Sequence, residues 1–139
     1  MDCLFCKIAR KELPSDVIVY ENDAAMAFLD IHPLSLGHTL VIPKIHYENI
    51  ITLKEDEITP LFSAVKKITE QLMKVLSPHG FTIGINHGKD AGQVVDHLHI
   101  HVIPRYLGDG GRSIHSIIQN SSPYEEGLHN IAKKIRISQ

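Results

Sequence analysis

The chain has 139 residues, room for one domain over 1–139 with a real core, and its 43% hydrophobic and 22% charged content is that of an ordinary globular protein. A net charge of −2 supplies no basic field for DNA or RNA, and no run nears the ~20 apolar residues of a membrane span. The opening Met1-Asp2-Cys3-Leu4-Phe5-Cys6-Lys7 has neither a basic leader nor an apolar stretch, so we expect no signal peptide and a cytoplasmic location.

In chain order, Cys3 to about Lys11 reads as a short helix stopped near Leu13-Pro14. Val17-Ile18-Val19-Tyr20 is β-branched and aromatic, the signature of a strand, and Ala24 to Leu29 pairs with it as a hairpin. His38 to Ile42 is a third strand, closed by Pro43. The period then changes. Ile58, Phe62, Val65, Ile68, Leu72 and Val75 recur at helical spacing, with Asp56 as cap and Pro60 early enough to cost no hydrogen bond. Ser77-Pro78-His79-Gly80 ends that helix. Phe81 to Ile85 and His97 to Ile103 are the fourth and fifth strands. Ser122-Pro123-Tyr124-Glu125 is a capping box opening a second main helix, with Leu128, Ile131 and Ile135 as its apolar stripe. Five strands with two main helices predict an α+β domain built on an antiparallel sheet.

Ten histidines and only two cysteines stand out. The sharpest feature is His97-Leu98-His99-Ile100-His101-Val102-Ile103-Pro104. Side chains alternate along a strand, so three imidazoles share one face, about 6.5–7 Å apart at their roots, while Leu98, Ile100 and Val102 enter the core. Chance rarely produces such strict alternation. Two chemistries suit it: a zinc chelate that activates water, or an imidazole nucleophile flanked by phosphate-binding neighbours. The preceding loop, Asn86-His87-Gly88-Lys89-Asp90-Ala91-Gly92-Gln93, can turn backbone N–H groups toward an anion and fits phosphate chemistry better.

Gly92 to Arg105 closely resembles the signature of the histidine triad (HIT) superfamily. Cys3-Leu4-Phe5-Cys6-Lys7-Ile8, Ala27-Phe28-Leu29-Asp30-Ile31 and Gly37 to Lys44 resemble its other blocks, in order and at the usual spacing. The resemblance implies the HIT-like fold, a homodimer, and hydrolysis at the α-phosphorus of nucleoside phosphoramidates or dinucleoside polyphosphates. His99 would be the nucleophile, forming a covalent nucleotidyl-histidine. His101 would bind a phosphate oxygen, and His38 would orient the nucleophile. Asn86, Gly92, Gln93 and the Val95 N–H would lie along the phosphates, with Asp30 on the ribose. Phe5, Ile8, Phe28 and Ile31 would form the pocket of a purine base, although the sequence alone favours plain core packing for those four. Val94 departs from the family's frequent Ser or Thr, which puts one phosphate contact in doubt.

Cys3 and Cys6 supply half of a tetrahedral zinc site, and with no third cysteine histidines must complete it. Related bacterial proteins imply His46 and His97, a structural zinc not required for the chemistry. Two other classes of function stay open at this level: a nucleotide-binding signalling partner with vestigial catalysis, and a hydrolase with zinc on the triad itself.

Overall fold

The computed structural model describes residues 3–14, 16–121 and 125–139. Its elements are α1 (Leu4–Ala9), β1 (Ile18–Glu21), β2 (Ala25–Leu29), β3 (Thr39–Pro43), α2 (Glu55–Leu76), β4 (Gly80–Gly84), β5 (Ile100–Arg105) and α3 (Leu128–Ile137), with single 3₁₀ turns at Lys89–Ala91 and Ile114–Ser116. The strands form one antiparallel sheet in the order β1-β2-β3-β5-β4. β5 enters between β3 and β4, so Leu40 and Gly84 flank His101 in register. No described helix is long and apolar enough to cross a membrane.

Both faces of the sheet are covered. On one, Leu61, Ala64, Val65, Ile68 and Leu72 of α2 pack on Ala25, Ala27, Val41, Leu98, Ile100 and Val102. On the other, Phe5 of α1 joins Met26, Phe28, Leu40 and Ile42 in a second, smaller core. That second face carries the histidines. Gly37 lets β3 start close to the end of α2: its φ is +89°, and a Cβ there would meet Leu76 Cδ1 at 2.5 Å. Any side chain would therefore be strained in backbone and in space.

Several expectations need correction. The first core-facing residue of α2 is Leu61, and Phe62, about 100° further round the helix, is 44% exposed, as Ile58 and Val75 also largely are. Val75 lies in the last turn, where Leu76 packs instead. Asp56 does not cap α2. Lys54 occupies that position without a side-chain hydrogen bond, and Glu55, Asp56 and Glu57 sit in the first turn, where the helix dipole favours acids. Pro60 is therefore the sixth helical residue, and its missing N–H does remove one internal bond. β5 begins at Ile100 rather than His97, because Leu98 N–H donates to the Tyr47 carbonyl of the β3–α2 loop instead of a strand. The inward alternation of Leu98, Ile100 and Val102 nonetheless holds. Ser122, Pro123 and Tyr124 of the capping box lie outside the described residues, and α3 runs from Leu128 with Leu128 and Ile135 exposed.

Candidate active site and metal centre

Each histidine of the row has one ring nitrogen assigned by its partner, because a carbonyl oxygen only accepts and a backbone N–H only donates. His97 Nε2–H donates to the Pro43 carbonyl at 2.8 Å, which leaves the Nδ1 lone pair to point at the thiols. His99 Nδ1–H donates to the His97 carbonyl at 2.7 Å, so the His99 lone pair sits on Nε2. His38 Nδ1 accepts from Leu34 N–H at 3.1 Å, so its Nε2 carries the proton and donates to His101 Nδ1 at 2.9 Å. His101 Nε2–H is then the group left to donate outward. The row reads lone pair, lone pair, proton.

Burial keeps the framework rings neutral. It pushes His97 and His101 down to about 4, with His46 and His99 adding for the first and His99 and His38 for the second. His38 is also lowered by burial, against a smaller pull from Asp30, whose Oδ2 lies 3.6 Å from its Nε2. His38 bonds His101 directly and meets His99 only through that ring, which packs on His99 with centroids 5.1 Å apart.

The thiol cluster fits a metal. Cys3 Sγ and Cys6 Sγ each lie 3.5 Å from His97 Nδ1, and Cys6 Sγ lies 3.4 Å from His46 Nδ1. The four donor atoms all fall within 4.8 Å of one another. Zinc bonds of about 2.3 Å to sulfur and about 2.0 Å to nitrogen, at tetrahedral angles, require S–N separations of about 3.5 Å. The Pro43 carbonyl behind His97 is the kind of outer partner that aims a metal-binding imidazole. Such an ion would draw α1, the β3–α2 loop and the segment leading into β5 together. A second group, Asp30, His38 and His101, is equally compact but does not fit. Leu34 N–H fixes the His38 proton on Nε2, the nitrogen a cation would need.

Beyond His101 opens a cleft of about 890 Å³. Asp30, Leu34 and His38 line one side, Thr82, Asn86 and His101 lie along the sheet, and residues 110–114, 116 and 117 line the rest. Asp30 also closes a turn by accepting from His32 N–H at 2.9 Å. Asn86 lies against Gly92, whose φ of +94° favours glycine. Gln93 is not free to reach a ligand: its Oε1 accepts from Gly88 N–H, and its Nε2 donates to the Glu48 and Val95 carbonyls. It latches the loop that carries Asn86 and Gly92. Phe5 and Phe28 are buried, Ile8 and Val95 pack against them, and Ile31 is 74% exposed at the surface.

That last stretch had no legible signature in the sequence, yet one residue anchors it. Arg105 binds Asp109 through Nε and Nη2, and Nη1 donates to Thr82 and to the Arg112 carbonyl. The only available hint was Asp109-Gly110-Gly111, a turn sequence four residues after an arginine.

An antiparallel sheet bearing alternating imidazoles, with thiols at one end of the row and a fourth histidine at the other, defines a histidine-triad protein of α+β type. The HIT domain model matches residues 10–108, and the chain belongs to that family. An uncharacterised HIT-like protein of Methanocaldococcus jannaschii is 49% identical over 108 residues, 78% of this chain and 82% of that one. An adenosine 5′-monophosphoramidase of Schizosaccharomyces pombe is 40% identical over 105 residues, 76% of this chain and 75% of its own. Among solved structures, a HIT family member from Bacillus subtilis superposes with a TM-score of 0.87 at 37% identity, covering 100% of this chain and 98% of the other. A zinc-bound family member from Mycobacterium smegmatis gives 0.72 at 30% identity, covering 100% and 99%.

Proposed function

We propose that this protein is a nucleotidyl hydrolase that cleaves nucleoside phosphoramidates or dinucleoside polyphosphates through a covalent intermediate on His99. The observation that carries the reading is the hydrogen bond from His99 Nδ1–H to the His97 carbonyl, which leaves the lone pair on Nε2. The phosphoramidase activity of the Schizosaccharomyces pombe relative supports it.

In the first step Nε2 attacks the α-phosphorus. A P–N bond forms and the bond to the amine or second nucleotide breaks, the leaving group keeping the bonding pair; an amine takes up a proton from solvent, a nucleotide leaves as its phosphate anion. Water then attacks the same phosphorus and releases a proton to solvent, the bond to Nε2 breaks with its pair returning to nitrogen, and a nucleoside monophosphate leaves. His101 Nε2–H donates to a phosphate oxygen, and His38 holds that donor in place. Asn86, Gly92 and the Val95 N–H serve the phosphates, and Gln93 acts by shaping their loop. Asp30 takes the ribose hydroxyls, and the purine base lies on Ile8 and Ile31 over Phe5 and Phe28. Zinc on Cys3, Cys6, His46 and His97 would supply a structural tie and no chemistry to the reaction. We take the working unit to be a cytoplasmic homodimer. The open edge of β4 and the exposed Leu128 and Ile135 of α3 support that assembly, which light scattering checks.

Trapping tests the chemistry. A phosphoramidate on imidazole survives base and is lost in acid, so alkaline quench during turnover should leave one nucleoside monophosphate on the peptide containing His99. A zinc-hydroxide attack gives no adduct. Turnover without an adduct, under conditions that slow its breakdown, would sink the covalent reading.

A further inference from the structure

The thiol cluster and the reactive ring meet at one side chain. Phe5 stands between Cys3 and Cys6 in the first turn of α1, the turn whose two sulfurs face His97. Its ring meets that of His99 edge-on, with centroids 5.2 Å apart and planes at 84°. The same ring contacts His97 at 5.9 Å and is backed by Phe28 at 5.3 Å. Phe5 is 6% exposed, so little of it is left for a ligand to touch. On its other side His99 meets the ring of His101, centroids 5.1 Å apart.

One hydrogen bond does not hold an imidazole. The bond to the His97 carbonyl opposes a flip about χ2 but leaves the ring free to tilt, and rings packed on both sides remove that freedom. His101 is held by His38. Phe5 is held by the turn it belongs to, and that turn is tied to the strand through the two sulfurs. Without a metal those ties are sulfur–nitrogen hydrogen bonds of 3.5 Å, which are weak. With one they become coordinate bonds. Both restraints on His99, the carbonyl and the phenyl ring, therefore trace back to the four-residue cluster.

We infer that Phe5 is a positioning residue for His99, and that a metal on Cys3, Cys6, His46 and His97 controls the orientation of the nucleophile through it. The inference rests on His99 as nucleophile. Phe5 serves the reacting nitrogen more than the nucleotide base, and the metal site is coupled to catalysis without entering the chemistry.

The test reads the ring directly. In protein labelled with ¹⁵N-histidine and loaded with zinc, long-range ¹H–¹⁵N spectra at a fixed pH of about 8 report the His99 tautomer, assigned by comparison with His99→Asn. Wild type should show Nδ1–H alone. Phe5→Leu should keep one zinc per chain, shift the His99 signals toward a tautomer mixture, and lower kcat about 10–100-fold with KM within about threefold, the size of effect that orienting neighbours have. Phe5→Tyr, which keeps the ring, should restore both. Chelating zinc from wild type should shift the His99 signals as Phe5→Leu does, and returning zinc should reverse the shift; this arm stands even where Phe5→Leu fails to fold. Unchanged His99 signals in zinc-loaded Phe5→Leu, or in chelated wild type, would overturn the inference. So would a rise in KM alone, which would make Phe5 a wall of the base pocket. His99 signals that respond to zinc while no nucleotide adduct can be trapped would support the positioning role and place the failure in the covalent reading.

Discussion

His97 and His101 stand at opposite ends of one row, the first buried and the second half-buried, both pushed down to about 4 by desolvation, and they are prepared for opposite tasks. At His97 a backbone carbonyl takes the Nε2 proton and the lone pair meets two sulfurs. At His101 a neighbouring imidazole donates to Nδ1 and the remaining proton faces the cleft. Burial is common to both and does not distinguish them. Which nitrogen the surroundings claim decides whether a histidine is a ligand for a cation or a donor to an anion. His99, between them, is the ring whose lone pair no side chain takes.

The most severe way to break this division is to remove the middle ring. His99→Asn should leave a folded protein that still binds AMP by calorimetry and turns over at least about a thousandfold more slowly, since no other lone pair faces the substrate. Retained activity above about a tenth of wild type would end the assignment. At the His101 end, His38→Ala removes the donor that fixes the outward proton. A lost orienting hydrogen bond of about 1–3 kcal/mol predicts a kcat about 10–100-fold lower, with zinc content unchanged. At the His97 end the effect should fall on stability. Cys3→Ser should lose about one equivalent of zinc by metal analysis and lower Tm by about 5–10 °C, as expected for a few kcal/mol in a domain of this size.

Acid should weaken the His101 end. The neutral native forms of His101 and His38 have pKa values below the ordinary 6.5, so between about 6.5 and about 4 the unfolded chain binds more protons than the folded one. Stability should be full above about 6.5 and fall as pH drops toward 4. A Tm profile over that range checks the sign, and a protein stabilised by acid there would contradict the buried neutral rings. The smallest effect sharpens the cleft side. Val94 is 90% exposed at the end of the loop that carries Asn86 and Gly92, and Val94→Ser, which offers one hydroxyl, should raise kcat about two- to fivefold by steady-state assay.

Much of this was legible because it follows from period and spacing. Alternation placed three imidazoles on one face and Leu98, Ile100 and Val102 in the core, and two cysteines three apart marked half a metal site. What escaped depends on contacts between distant segments. Nothing in the sequence near His38 says that its partner is His101 rather than His99, since that depends on the β3–β5 register of Leu40 with His101. Phe62 and Leu61 are equally apolar neighbours, and only the sheet selects Leu61. Gln93 has the chemistry of a phosphate ligand, but its amide is spent on Gly88, Glu48 and Val95, a closure that no local pattern announces. The stretch lining the rest of the cleft rests on Arg105 and Asp109, an ion pair that reads in sequence as ordinary surface charge.

The acceptors that assign the protons of His97 and His99 are the main-chain carbonyls of Pro43 and His97. Every amino acid at those positions brings the same oxygen, so the placement of both protons survives substitution wherever the chain keeps its path. A saturation scan would score the imidazoles as essential and remain blind to the groups that set their polarity. The acceptor that leaves Nε2 of one ring to attack belongs to the backbone, where point mutation cannot erase it, and the side chains around the row act on how firmly the ring is held against that acceptor.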